Sequence, residues 1–253
     1  MGASVMSDQR LPRGDDTIAY RTREGRGPGV VWLGGFRSDM MGTKAEALDE
    51  WAASRGQAYL RFDYFAHGQS SGDFRKGNIS RWRDDAMAVL DERTEGPQIL
   101  VGSSMGGWIS LLLARARPER VKGLLLIAPA PDFTEDLLWT ALPPDVQQQI
   151  MSQGEWLQPW GYGEPPCPIT RQFIEDGRKN LLLRGPLDVR CPVRILQGMK
   201  DPDVPWNHAV RIVDKLPGNP ILTLVKEGDH RLSTPEDLAR MTAVLDQLLA
   251  EVR

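Results

Sequence analysis

Ten residues, Ile99-Leu100-Val101-Gly102-Ser103-Ser104-Met105-Gly106-Gly107-Trp108, constrain this chain more than any others. Within them Gly102-Ser103-Ser104-Met105-Gly106 satisfies G-x-S-x-G. An apolar, β-favouring run leads in, and a helix-like run over 109–117 leads out. A serine on a tight strand-to-helix turn lifts its hydroxyl above the sheet edge at the cost of a strained backbone. The residues two away on either side must then be minimal, which Gly102 and Gly106 are. The pattern alone is common in loops; its flanking strand and helix make Ser104, rather than Ser103, the candidate nucleophile.

The rest of the chain keeps a compatible rhythm. Short apolar runs at 30–33, 58–63, 98–102, 121–127, 193–196 and 221–225 alternate with stretches of helical character at 43–54, 79–93, 109–117, 205–216 and 235–252. In 43–54, Ala45, Leu48, Trp51 and Ala52 share one face. Such alternation predicts an α/β fold, a mostly parallel central sheet flanked by helices. Residues 17–23 read as an early antiparallel edge strand, 25–29 as a turn, and the polar start up to about residue 15 as frayed.

The rhythm breaks at Ala128-Pro129-Ala130-Pro131 and resumes near residue 191. Residues 1–130 and 191–253 therefore read as the core, and 131–190, rich in proline, glycine and aromatics, as a cap or lid inserted between two strands. Active sites of open α/β sheets lie outside the carboxyl ends of the strands, so the insertion would stand over Ser104. Its aromatics, Trp139 and Trp160 among them, either meet substrate or form a small core of their own.

A chain of 253 residues can bury a core without disulfides or metal. A net charge of −3 with no basic cluster argues against nucleic acid, and no apolar run approaches the roughly 18 residues of a membrane span. The start shows no signal-peptide pattern. Cys167 and Cys191 each precede proline and lack metal-ligand spacing, so they read as free thiols in a reducing, cytoplasmic setting. No cofactor and no metal is called for.

A serine hydroxyl needs a base within hydrogen-bond reach and an acid to orient that base. After a G-x-S-x-G elbow the chain order is serine, acid, histidine. Of the three histidines, His67 precedes the serine and reads as a brace for the 63–72 loop, and His208 sits inside a helix, where a solvated position is the plain reading. His230, in Gly228-Asp229-His230 after the last strand, is the favoured base. Asp201 and Asp203 both follow the strand at 193–196. Asp201 comes first, in a G-x-x-D-x-x-V-P turn, whereas Asp203 suits capping of the next helix; Asp229 points from the wrong loop. The oxyanion needs preorganised N–H donors, for which the backbones of Met105 and Phe36 are placed. Beside Phe36, Arg37 is a candidate receiver of an anionic leaving group, or a solvated arginine. Met40 and Met41 either border an acyl pocket or fill core.

These blocks carry a resemblance. Gly34-Gly35-Phe36-Arg37-Ser38-Asp39-Met40-Met41-Gly42-Thr43-Lys44-Ala45, Arg61-Phe62-Asp63-Tyr64, Gly102 to Trp108, Gly198-Met199-Lys200-Asp201 with Val204-Pro205-Trp206, and Asp229-His230-Arg231 together resemble the α/β-hydrolases. Within them they are most similar to the branch of palmitoyl-protein thioesterases and mycophenolic acid acyl-glucuronide esterases of mitochondria. The resemblance implies a Ser104, Asp201, His230 triad and a serine esterase or thioesterase. Its implied substrates are small-molecule or acyl-protein esters and thioesters of medium or long acyl chains, including acyl glucuronides. Without a targeting extension the chain reads as a bacterial relative. The same fold and triad also serve C–C bond hydrolases and cofactor-free perhydrolases, and the fold alone serves binding proteins. Dehalogenases and epoxide hydrolases carry a carboxylate at the elbow, where this chain has serine.

Overall fold

The computed structural model describes residues 8–159 and 165–252. An eight-stranded sheet runs through it in the order β1-β2-β4-β3-β5-β6-β9-β10. Its members are β1 (Gln9–Arg13), β2 (Asp16–Arg23), β3 (Arg26–Leu33), β4 (Gln57–Phe62), β5 (Gln98–Ser103), β6 (Val121–Ile127), β9 (Val193–Gly198) and β10 (Ile221–Val225). The β1–β2 and β2–β4 pairs are antiparallel; from β4 to β10 every neighbour is parallel.

Two details differ from the sequence reading. Residues 9–13 form a strand, because Leu11, buried between the exposed Arg10 and Pro12, anchors a hairpin to β2. The hairpin makes β1 the edge and moves β2 inside. The expected turn at 25–29 also lies partly within β3, which starts at Arg26.

Side chains alternate across the sheet, as a period of two requires. Leu100, Leu124 and Leu126 enter the core shared with α2 (Ile79–Arg93), α3 (Met105–Ala116) and α6 (Trp206–Lys215). Ile99, Val101, Leu125 and Ile127 enter the one shared with α1 (Thr43–Arg55) and α7 (Pro235–Val252). The buried face of α1 is Ala45, Leu48, Trp51 and Ala52, and Gly56 in the left-handed region (φ 59°) ends the helix. β5 is buried along its whole length between β3 and β6, so whatever stands at its carboxyl end stands on a rigid base.

Between β6 and β9 the chain forms a π-helical turn (Thr134–Leu138), α4 (Pro144–Gln153), the antiparallel pair β7 (Glu155–Gln158) and β8 (Cys167–Thr170), and α5 (Arg171–Lys179). One carboxylate ties the two ends of this segment. Asp132, itself left-handed (φ 61°), accepts the N–H groups of Leu182 (2.7 Å) and Leu183 (2.9 Å).

Candidate active site

Ser104 sits between β5 and α3 with φ 53° and ψ −117°, outside the regions an L-residue favours. Its surroundings over-determine that conformation. The Ser104 N–H donates to the Ile127 carbonyl (2.9 Å), and the Ser104 carbonyl accepts from Ala130 (3.1 Å). A Cβ on Gly106 would collide with the Leu33 carbonyl, and one on Gly102 with the Gly106 carbonyl. Both glycines are therefore close-approach positions, which lets β5, α3 and the end of β3 meet behind the serine.

His230 lies in the loop between β10 and α7, with Nε2 3.2 Å from Ser104 Oγ and Nδ1 2.8 Å from Asp201 Oδ2. Asp201 follows β9 and is saturated. Its Oδ1 accepts the N–H groups of Asp203 (2.9 Å) and Val204 (2.8 Å), and its Oδ2 accepts Gln197 Nε2 (3.1 Å) and His230. Burial opposes the charge on Asp201, but the His230 and backbone hydrogen bonds outweigh it and hold the carboxyl below its ordinary value. An ionised Asp201 can only accept, so Nδ1 of His230 carries the proton and Nε2 faces Ser104 as an acceptor. That is the protonation a general base requires.

Asp203 does not cap α6, whose preceding residue Pro205 makes no side-chain cap; it borders the cleft beside His230 instead. Asp229 accepts from Arg231 and Leu232 within its own loop. Asp201, Asp203 and His230 bring ligand-type atoms within 4.8 Å of one another, but the saturation of Asp201 fits it to orienting His230 rather than to ligating an ion.

The loop after β3 abuts the serine: a Cβ on Gly35 would lie 3.4 Å from Ser104 Cβ. The Phe36 backbone follows directly, and Met105 is the first residue of α3, whose N–H has no intrahelical acceptor. The Phe36 ring stacks on Phe173 of α5 (5.4 Å between centroids). His67 holds the next peptide. Its Nε2 accepts the Arg37 N–H (3.1 Å) and its Nδ1 donates to the Phe65 carbonyl (3.0 Å), while Arg37 is left-handed (φ 58°). His67 is thus neutral by its partners, and burial pushes its pKa down to about 4.

Two arms of one cleft open from Ser104 and His230. One, of about 380 Å³, is lined by Phe133, Leu137, Leu138, Ile169 and Val204. The other, of about 430 Å³, is lined by Arg37, Ser38, Thr43, Lys44, Arg231 and Ser233. Trp32 borders the second arm, and its buried indole N–H has no acceptor among the described residues. A further cavity, at the other end of the sheet among Arg23, Glu24, Arg93 and Glu95, is lined by no serine, cysteine or histidine.

Other expectations fare differently. Met40 does not border the acyl arm; it is fully buried because its N–H donates to Asp63 (2.6 Å) and its carbonyl accepts from Arg61 (2.9 Å), folding the residue under the loop. Trp139 turns away from the cleft, which its neighbours Leu137 and Leu138 line, and lies beneath the Arg178 guanidinium at 4.8 Å. Trp160 falls outside the described residues. His208 is buried, donating from Nε2 to the Pro131 carbonyl (2.8 Å). Lys44 and Arg231 were not singled out by sequence reasoning; no local pattern marks a lysine in the first turn of a helix as a cleft residue.

The model of the alpha/beta hydrolase family matches residues 28–244. The chain belongs to the alpha/beta hydrolase family. Within it, the chain is 40% identical over 248 residues to the Mus musculus protein named palmitoyl-protein thioesterase ABHD10, mitochondrial, covering 97% of this chain and 82% of that protein. Among solved structures it is similar to a putative hydrolase from Agrobacterium vitis S4 (TM-score 0.91, 44% identity, 97% of this chain and 98% of that one). It is also similar to alpha/beta hydrolase domain-containing protein 10 from mouse (TM-score 0.90, 38% identity, 98% and 100%). This α/β hydrolase shares with the last two nearly its whole length.

Proposed function

We propose that this α/β hydrolase cleaves carboxylic esters and thioesters through an acyl-enzyme on Ser104. The observation that carries the reading is the unbroken hydrogen-bond chain Ser104 Oγ, His230, Asp201 at 3.2 and 2.8 Å. The thioesterase named among its relatives supports the bond class.

His230 Nε2 takes the proton as Ser104 Oγ attacks the acyl carbon. The oxyanion of the tetrahedral intermediate accepts from the Phe36 and Met105 N–H groups, which need no reorganisation to meet it. Collapse breaks the bond to the leaving oxygen or sulfur, and the imidazolium returns the proton to it. Water then repeats the sequence on the acyl-enzyme, releasing the acid and restoring Ser104. The Leu137, Leu138 and Ile169 arm suits an acyl chain. The arm with Arg37, Lys44, Arg231 and the Trp32 N–H suits a polar or anionic leaving group, glucuronate carboxylate included. The 131–190 segment acts as the cap that closes the acyl arm.

Hydrolysis of p-nitrophenyl esters and acyl thioesters across a chain-length series tests this reading. The Ser104→Ala variant is expected to lose turnover of both classes; retained turnover contradicts the mechanism. For acyl groups held constant, Arg37→Ala is expected to lower kcat/KM for acidic leaving groups more than for neutral ones.

A further inference from the structure

Lys44 is a cation in the first turn of α1, where the helix end carries partial positive charge and disfavours it. Gly42, before the helix, has no side chain to draw the ammonium in. What holds it is the loop that carries His230. Lys44 Nζ donates to the Arg231 carbonyl and to Ser233 Oγ (3.2 Å), acceptors one and three residues beyond the histidine. Inside that loop Asp229 Oδ1 accepts from Arg231 and Leu232, and Leu232 is left-handed (φ 44°), so the turn is tight and strained. The side chain of His230 itself is held by Asp201 and Ser104.

We propose that Lys44 is a positioning residue: its ammonium clamps the 229–233 loop onto α1 and so fixes the reach of His230 Nε2 to Ser104. The inference rests on reading His230 as the base. The clamp joins two elements far apart in sequence, and Lys44, Ser104 and His230 border the same arm of the cleft. Asp229 and Asp237 favour the charge on Lys44, Arg231 opposes it, and Arg37, Asp203 and His230 share the arm. Burial outweighs the two carboxylates and pushes the Lys44 pKa down to about 8. Above that pH a neutral amine still donates, but a hydrogen bond without charge assistance is roughly half as strong. The clamp therefore loosens within the range where esterases are assayed.

The test measures kcat and KM from pH 6.5 to 9.5 on ethyl butanoate, followed by pH-stat titration of the released acid; its alcohol leaving group stays uncharged across the range, so leaving-group charge does not enter. The wild type is expected to lose kcat through about pH 8 with KM constant. Lys44→Arg keeps a cation that does not titrate in this range, and its alkaline loss is expected to disappear. Lys44→Met is expected to sit about tenfold below the wild type at pH 7, as a misplaced catalytic group does, and to stay flat above it. Ser233→Ala, which removes the weaker acceptor, falls between. Fluorophosphonate labelling of Ser104 keeps the readouts apart: slower but complete labelling in Lys44→Met shows a folded enzyme with a displaced base. A Lys44→Met enzyme with wild-type kcat, or with reduced kcat and the wild-type alkaline loss, overturns the proposal. Absence of Ser104 labelling in the wild type overturns the triad reading instead.

Discussion

His67→Phe isolates the hydrogen bond that holds the oxyanion loop. The replacement keeps a ring among Tyr64, Phe74 and Trp82, whose centroids lie 5.8, 5.3 and 5.2 Å from that of His67. The Phe65 carbonyl loses the His67 donor but keeps Trp82 Nε1–H at 3.1 Å. The Arg37 N–H loses its His67 acceptor. Leaving a polar group unpaired costs about 1–3 kcal/mol, and the half-buried position of Arg37 puts this one near about 1 kcal/mol. The larger consequence is kinetic. Arg37 stays left-handed only while its surroundings force it, and the Phe36 N–H belongs to the neighbouring peptide. Removing one oxyanion donor outright costs about 2.7–4 kcal/mol of transition-state binding, or about 10²–10³ in kcat; a donor merely turned should cost about 10- to 100-fold. Steady-state kinetics on a neutral ester should show that loss in kcat with KM little changed, the mark of an interaction made in the transition state. An aryl boronate, which presents an oxyanion, should weaken in parallel, while urea unfolding shows only the small stability loss. His67→Gln, which retains an acceptor, should recover part of kcat. A His67→Phe enzyme that is less stable yet keeps full kcat and boronate affinity refutes the reasoning.

The choice of acid is tested by two amides: Asp201→Asn should lower kcat by about 10³–10⁴ by upsetting the His230 tautomer, whereas Asp203→Asn should change it only a few-fold; the reverse ranking contradicts the assignment. His67 also predicts a pH effect on stability. Its folded pKa of about 4 lies below its ordinary 6.5, so the unfolded chain takes the proton first and stability falls as pH drops through that window. The full effect is about 3 kcal/mol. Urea midpoints of the wild type should approach those of His67→Gln between pH 6.5 and 4, and parallel curves would contradict this. Met40→Ala should cost about 2–5 kcal/mol of stability as a core truncation and leave the chain-length preference unchanged; a shift in that preference would return Met40 to the acyl arm.

What the sequence made legible is what depends on local period and order. The strand runs alternate with helices because each must bury a face, and Ser104, Asp201 and His230 each sit just past a strand, where a parallel sheet collects loops. Residues whose placement depends on a distant partner were not legible. Leu11 is one apolar residue in Gln-Arg-Leu-Pro-Arg, and only pairing with β2 makes the segment a strand. His208 looks like a surface helix residue until the Pro131 carbonyl, from the far side of the 131–190 segment, receives it. Met40 carries no mark of burial, which comes from Asp63 and Arg61 drawing its peptide groups inward. Lys44 reads as a helix-surface lysine because its acceptors on the His230 loop lie near the other end of the chain.

The central claim, an acyl-enzyme on Ser104 formed through His230 and Asp201, is tested most directly by intact mass during turnover. A slow thioester substrate, quenched in acid, should leave a single acyl adduct that maps to the peptide containing Ser104. The adduct should be absent in Ser104→Ala and form far more slowly in His230→Ala. An adduct on another residue, or continued hydrolysis by Ser104→Ala, contradicts the account.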